Sequence, residues 1–140
     1  MLVRRRFMDM PFGQIHYREA GTSDLTPLML LHASPGSSKQ LEFLIENLGK
    51  QFHVIAPDTM GNGDSTPPKQ EQPEISDYAN AMIAFSDQLG WKKMHLYGTH
   101  TGARIAVCMA LHEGGRIDRL ILDCLLYTSD AADDVLGGGR

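Results

Sequence analysis

The apolar positions of this chain change period as it is read from its amino terminus. Gln14-Ile15-His16-Tyr17-Arg18-Glu19 alternates polar and apolar, which predicts a half-exposed strand. Phe7 to Asp9 predicts a shorter strand before it, with a turn at Pro11-Phe12-Gly13. From Pro27 onward the alternation gives way to short continuous apolar runs. Pro27 to Leu31, Phe52 to Ala56 and Lys93 to Tyr97 predict strands buried on both faces, and Ile117 to Asp123 begins one more. Helical periods lie between them. Leu41, Leu44, Ile45 and Leu48 share one helical face, with Ser38 as the expected N-cap and Gly49 as the stop. A second helix is expected from a cap at Ser76 to Gly90, along Ile75, Tyr78, Ala79, Met82, Ser86 and Leu89. A third covers Thr101 to His112, with small residues at Gly102, Ala103, Ala106 and Ala110, and ends at Gly114-Gly115. Strands alternating with helices predict a single α/β domain: a mostly parallel sheet with helices on both faces.

One junction in this series carries chemistry. The strand Met94 to Tyr97 runs into Gly98-Thr99-His100-Thr101-Gly102 and then directly into a helix. Strand, tight turn with a glycine two residues on either side of the centre, and helix are the geometry of a nucleophile elbow. A side chain at either glycine would meet the adjoining strand or helix. The central residue is thereby presented at the strand's carboxyl end, beside the free N–H groups and positive dipole end of the helix. That position, ordinarily serine, holds His100.

Composition narrows the setting. The chain has 140 residues, 42% of them hydrophobic and 21% charged, which suits one soluble globular domain. The net charge of -4 gives no electrostatic footing for nucleic acid, and Arg4-Arg5-Arg6 is too short to change that. No apolar run approaches membrane-spanning length, and no leader pattern is visible. Two unpatterned cysteines suit a reducing, cytoplasmic location.

Two further segments fall into register with the elbow. His32-Ala33-Ser34-Pro35-Gly36 follows one buried strand, and Asp58-Thr59-Met60-Gly61-Asn62-Gly63-Asp64-Ser65 follows the next. In this order, the three segments resemble the α/β-hydrolase superfamily, in the branch with an H-G-x-P-G loop and a D-x-x-G-x-G-x-S loop. The resemblance covers about Phe7 to Asp123. It implies a truncated α/β-hydrolase fold, with residues 1–123 its amino-terminal part. It also implies an oxyanion hole formed by the backbone N–H groups of Ser34 and Thr101, with His32, Ala33 and Thr99 lining the substrate side. Asp58 and Gly61 to Ser65 are implied as scaffold for the neighbouring loop. The activity implied is hydrolysis of a small ester, amide or similar carbonyl compound, without cofactor or metal. A catalytically silent protein of the same fold, binding a ligand or partner, is the alternative.

His100 departs from that family pattern and leaves three roles open. Imidazole can attack an acyl group, act as general base on water, or merely line a pocket. A serine elbow would need a histidine and an acid later in the chain, beyond Asp123. His32, His100 and Asp58 would converge in such a fold, but their spacing matches no metal motif. Gly98 to Gly102 is not the G-x-G-x-x-G of a dinucleotide site, for which Asp123 would be the sole acidic candidate. Cys108 is expected in the core, and His16, His53, His95 and His112 at the surface or strand edges. Cys124 to Asp133 resembles a translated sequencing adapter, so residues 124–140 are expected to add nothing to the fold.

Overall fold

The computed structural model describes residues 2–123; the expected tail from 124 lies outside the described residues. Six strands form one sheet: β1 (Arg4–Met10), β2 (Gly13–Ala20), β3 (Thr26–Leu31), β4 (Phe52–Pro57), β5 (Met94–Thr99) and β6 (Ile117–Asp123). Their order is β1-β2-β4-β3-β5-β6. β1 and β2 pair antiparallel, as do β2 and β4, while β4, β3, β5 and β6 run parallel. Three helices connect the parallel strands: α1 (Glu42–Leu48), α2 (Ile75–Leu89) and α3 (Thr101–His112). From β3 the chain steps first to β4 on one side, then to β5 on the other. Crossovers of a single hand therefore place α1 on one face of the sheet and α2 and α3 on the opposite face. No helix among the described residues is long and apolar enough to cross a membrane.

The period of two along β3 shows why its run is continuously apolar. Leu28 and Leu30 join Ile45, Val54 and Ala56 under α1. Met29 and Leu31 join Ile55, Met82, Phe85, Leu96, Ile105 and Met109 under α2 and α3. Each face thus receives every second side chain of a strand that water touches on neither side.

Several expectations are corrected. β1 runs from Arg4 to Met10, longer than the Phe7 to Asp9 expected, and takes in the exposed basic triplet. β2 is buried on both faces: His16 and Arg18, on its polar side, are covered by the loop after β4 and by the turn before α1. His53 is likewise buried, held by Glu19 and packed edge-on against Trp91. Burying these polar rings is tolerated because each has a carboxylate partner. α1 is preceded by a 3₁₀ turn, Ser38–Leu41, whose cap is Ser37, while Ser38 points inward. α2 is capped by Glu74, not Ser76. Glu74 and Asp77 exchange side chain-to-backbone hydrogen bonds, a reciprocity that Ser76, already inside the first turn, cannot supply. β6 is not buried: Leu120, Ile121 and Leu122 are 38%, 53% and 42% exposed. Among the described residues it pairs with β5 alone, and the face it shares with Tyr97 is open. Leu28, Leu30, Leu48, Tyr97 and Ile121 line an apolar groove of about 280 Å³ there.

Phe85 is fully buried on α2, and its ring meets Tyr17 edge-on with centroids 5.3 Å apart. Truncation would leave a cavity between α2 and the sheet. Phe85→Ala is expected to lower unfolding free energy by about 3–5 kcal/mol in urea denaturation, whereas Phe43→Ala, at a site 77% exposed, is expected to change it by no more than about 0.5 kcal/mol.

Candidate active site at the strand-to-helix elbow

The reversal of strand order around β3 gathers three loops at the carboxyl ends of β3, β4 and β5. This is where open α/β sheets form their crevices. The elbow is the shortest of the three, with His100 alone between β5 and α3. His100 is the only non-glycine among the described residues with positive φ, at φ 54 and ψ -118, between β5 and α3. That pair lies outside the small left-handed basin that non-glycine residues occupy, so the backbone there is strained.

The flanking glycines hold the strain in place. A Cβ on Gly98 would stand 2.7 Å from the Ala103 nitrogen and closer still to the Gly102 carbonyl oxygen. A Cβ on Gly102 would stand 2.6 Å from the Leu31 carbonyl carbon and 2.7 Å from the His32 carbonyl oxygen. Every one of these atoms belongs to backbone and cannot move aside. α3 can therefore start directly against the end of β3 only if both positions lack side chains. The His100 carbonyl accepts from the N–H groups of Ala103 (2.9 Å) and Arg104 (3.3 Å), which begins the helix. The His100 N–H donates to the Asp123 carbonyl at 3.2 Å and ties the elbow to β6. The imidazole itself is exposed and has no hydrogen-bond partner among the described residues.

The His32–Ser38 loop lies beside the elbow. His32 is buried, and both ring nitrogens are occupied. Nδ1–H donates to the Ala33 carbonyl at 2.7 Å, and Nε2 accepts from the Thr59 N–H at 3.0 Å. These partners require the neutral ring with its proton on Nδ1. Burial pushes the His32 pKa below the ordinary 6.5, against the opposing pull of the Ala33 carbonyl and the Asp58 charge. With both nitrogens engaged, His32 shapes the loop by hydrogen bonding. Ala33 is half-buried and contributes the carbonyl that His32 holds. Thr99 is also engaged, since its hydroxyl donates to the Asp123 carbonyl at 3.1 Å.

Ser34 and Thr101 do meet. The Ser34 N–H donates to Thr101 Oγ1 at 3.3 Å, and that hydroxyl lies 3.5 Å from the Ser34 carbonyl oxygen. The Thr101 side chain therefore turns toward the loop. Ser34 Oγ donates to Asn62 Oδ1 at 3.4 Å, and Asn62 Nδ2 donates to Thr59 Oγ1 at 2.8 Å. The loop after β4 thus braces the loop after β3.

Asp58 anchors that brace. It is 1% exposed. Oδ1 accepts from the Ser38 N–H (2.8 Å) and the Ser38 hydroxyl (2.7 Å), while Oδ2 accepts from His16 Nδ1–H (2.8 Å) and the Asp64 N–H (3.0 Å). Arg18 Nη1 donates to the Ser38 hydroxyl at 2.8 Å; its Nε is 3.6 Å from Glu42 Oε2, an ion-pair distance that makes no hydrogen bond. Burial alone would raise the Asp58 pKa, but the bonds from Ser38, Asp64 and His16 outweigh it and hold the carboxyl below the usual range. His16, Asp58 and Asp64 are close enough together to hold a cation, yet His16 and Asp58 already satisfy each other. His32, His100 and Asp58 form no such group among the described residues. Sequence reasoning identified Asp58 and the Gly61 to Ser65 segment, which includes Asn62, as scaffold but missed His16, Ser38 and Arg18. No spacing signal marks them, because their partners are brought together only by the sheet. Cys108 is half-buried and packs against the core under α2 and α3, with Sγ 3.8 Å from His112 Nδ1.

With this geometry in view, comparison with known proteins is decisive about the class. A family profile described as alpha/beta hydrolase fold matches residues 26–137. The chain belongs to the α/β-hydrolase fold family. It is 30% identical over 117 residues to haloalkane dehalogenase 2 of Mycobacterium tuberculosis, covering 84% of this chain and 40% of that protein. It is 34% identical over 121 residues to a soluble epoxide hydrolase of a Corynebacterium species, covering 86% and 41%. Among solved structures it superposes on naproxen esterase from Bacillus subtilis with TM-score 0.82 at 27% identity, covering 97% of this chain and 50% of that one. The chain spans about 40% of the length of the first of these relatives.

Two outcomes test the scaffold. His32 favours its neutral form in the fold, so the unfolded chain binds more protons once pH falls below the ordinary histidine value of 6.5. Asp58 adds stability above the ordinary carboxylate value that is lost as pH falls through its depressed pKa. Urea midpoints should therefore decline in two stages on acidification. The first begins near pH 6.5 and should flatten in His32→Gln; the second begins below about pH 4. Asp58→Ala, which leaves His16 and the Ser38 amide buried without an acceptor, is expected to cost about 3–5 kcal/mol at neutral pH in the same measurement.

Proposed function

We propose that the protein is a hydrolase acting on a small ester, amide or similar carbonyl substrate, with His100 at the elbow as general base on water. The observation that carries this reading is the strained His100 backbone, held between Gly98 and Gly102 and adjacent to the Ser34 and Thr101 amides. The Thr101 N–H belongs to the first turn of α3 and has no acceptor within the helix. With the Ser34 N–H it can stabilise a tetrahedral oxyanion, and donors of this kind are worth several kcal/mol each. The similar proteins include a dehalogenase, an epoxide hydrolase and an esterase, which supports hydrolytic chemistry without choosing the bond. Neutral imidazole can deprotonate a water positioned over the hole. A direct acyl-imidazole would be short-lived, which makes a stable covalent intermediate the less favoured route.

A second reading is supported by one feature. The His100 ring is exposed, and nothing among the described residues orients it. In that reading the protein binds a ligand or partner and turns nothing over. Hydrolysis of a panel of short esters by the full-length protein, with mass spectrometry for acylation, separates the two. Under the base role, His100→Ala loses most turnover, about 10²-fold or more, and no acyl adduct accumulates. His100→Ser restores esterase behaviour only where a histidine and an acid from elsewhere in the protein reach the elbow. Absence of turnover in the wild type would instead support the binding reading, equal turnover in His100→Ala would remove His100 from the chemistry, and a stable adduct on His100 would overturn the base role.

A further inference from the structure

We infer that the Thr101 hydroxyl is a third oxyanion donor, which the resting protein keeps folded back onto the Ser34 amide; this rests on the hydrolase reading above. Among the described residues, the Thr101 side chain is the one that hydrogen-bonds the elbow to the loop after β3. Its Oγ1 accepts from the Ser34 N–H at 3.3 Å and lies 3.5 Å from the Ser34 carbonyl oxygen. Both contacts sit at the long limit of hydrogen bonding, where the interaction is weak and exchange is easy. Ser34 is exposed and Thr101 half-buried, so water and a ligand can both compete for these groups.

A hydroxyl is both donor and acceptor, and its hydrogen rotates to suit its surroundings. With the site empty, Thr101 Oγ1 satisfies the Ser34 N–H that would otherwise wait for a substrate. When a carbonyl oxygen gains negative charge beside the elbow, the Ser34 N–H turns to that stronger acceptor. The Thr101 hydroxyl, released from its acceptor role, then directs its own O–H to the same oxygen. Its weak alternative acceptor, the Ser34 carbonyl at 3.5 Å, opposes this little. Three donors result from two residues: the Ser34 N–H, the Thr101 N–H and the Thr101 O–H. Valine at 101 keeps the branched shape but can neither accept from Ser34 nor donate to the oxyanion. Serine keeps both capacities.

The test uses acetate as a stable mimic of the charged oxygen and the full-length protein, labelled for amide NMR. In the wild type, acetate should shift the Ser34 and Thr101 amide resonances together, with one dissociation constant. Thr101→Val should weaken acetate binding about tenfold, the usual cost of losing a hydrogen bond to a charged group, and Thr101→Ser should restore it. On the ester panel, Thr101→Val should lower kcat about 10- to 100-fold with little change in KM, again rescued by serine. Absence of the joint amide shift in the wild type would overturn the proposal, and so would equal acetate affinity in wild type and Thr101→Val. A Val defect that serine does not rescue would also overturn it. If acetate binds in the expected pattern while no ester is turned over, the hydrolase reading fails and the three-donor site stands. If esters are turned over and kcat is unchanged in Thr101→Val, the hydrolase reading stands and the third donor fails.

Discussion

A single buried carboxylate fixes the ground on which the site is built. Asp58 closes β4 and accepts four hydrogen bonds from three parts of the chain: β2 through His16, the turn before α1 through Ser38, and its own loop through Asp64. An ionised group so far from water is tolerated only when its lone pairs are filled. The requirement works in reverse as well. Because the charge must be satisfied, the loops after β3 and β4 are held in one arrangement, and Ser34 is delivered next to the elbow through Asn62 and Thr59. His100 and Ser34, nearest the proposed chemistry, are exposed, while Asp58, Ser38 and His16, which anchor the loops, are buried. A precise site on loops is normally obtained by this division of labour.

The elbow adds a constraint of a different kind. Asp58 holds the loops by attraction, whereas Gly98 and Gly102 position α3 by leaving space. Two backbone segments approach so closely that no side chain fits at either position. Steric exclusion of this sort does not depend on pH or salt, unlike the Asp58 network. The two devices therefore fail under different conditions. Acid loosens the loop beside the elbow before it disturbs the turn itself.

This difference also decides what could be read from the sequence. The elbow was legible because its cause is local: two glycines, a strand and a helix within a few residues. The continuous apolar runs of β3 and β4 were legible for a similar reason, since a strand covered on both faces has no polar side to show. The burial of His16 was not legible. Its partner lies 42 residues away, and a histidine in an alternating strand has the same pattern whether its polar face meets water or a carboxylate. β6 misled in the opposite direction. Its apolar run is that of a buried strand, yet Ile121 is more than half exposed, because the pattern records what a strand can bury and not whether a neighbour is present. The contact between the Thr101 hydroxyl and Ser34 was not legible either, since the direction of a first-turn side chain depends on what the adjacent loop offers it.

The backbone at His100 sharpens the question of what the histidine is for. Positive φ is least costly for glycine, and asparagine tolerates the left-handed basin, but φ 54 with ψ -118 falls outside that basin. The strain there is set by Gly98, Gly102 and the start of α3, so it remains whatever side chain occupies the apex. Glycine at position 100 would relieve it directly. The position instead carries a bulky ring that is exposed, makes no hydrogen bond among the described residues and contributes nothing to the core. Among the described residues, stability does not account for a side chain that leaves this strain in place and forms no hydrogen bond. What the imidazole does possess is its place: the open end of β5, beside the N–H groups of Ser34 and Thr101. Strain retained at such a point is what the proposed base role of His100 rests on.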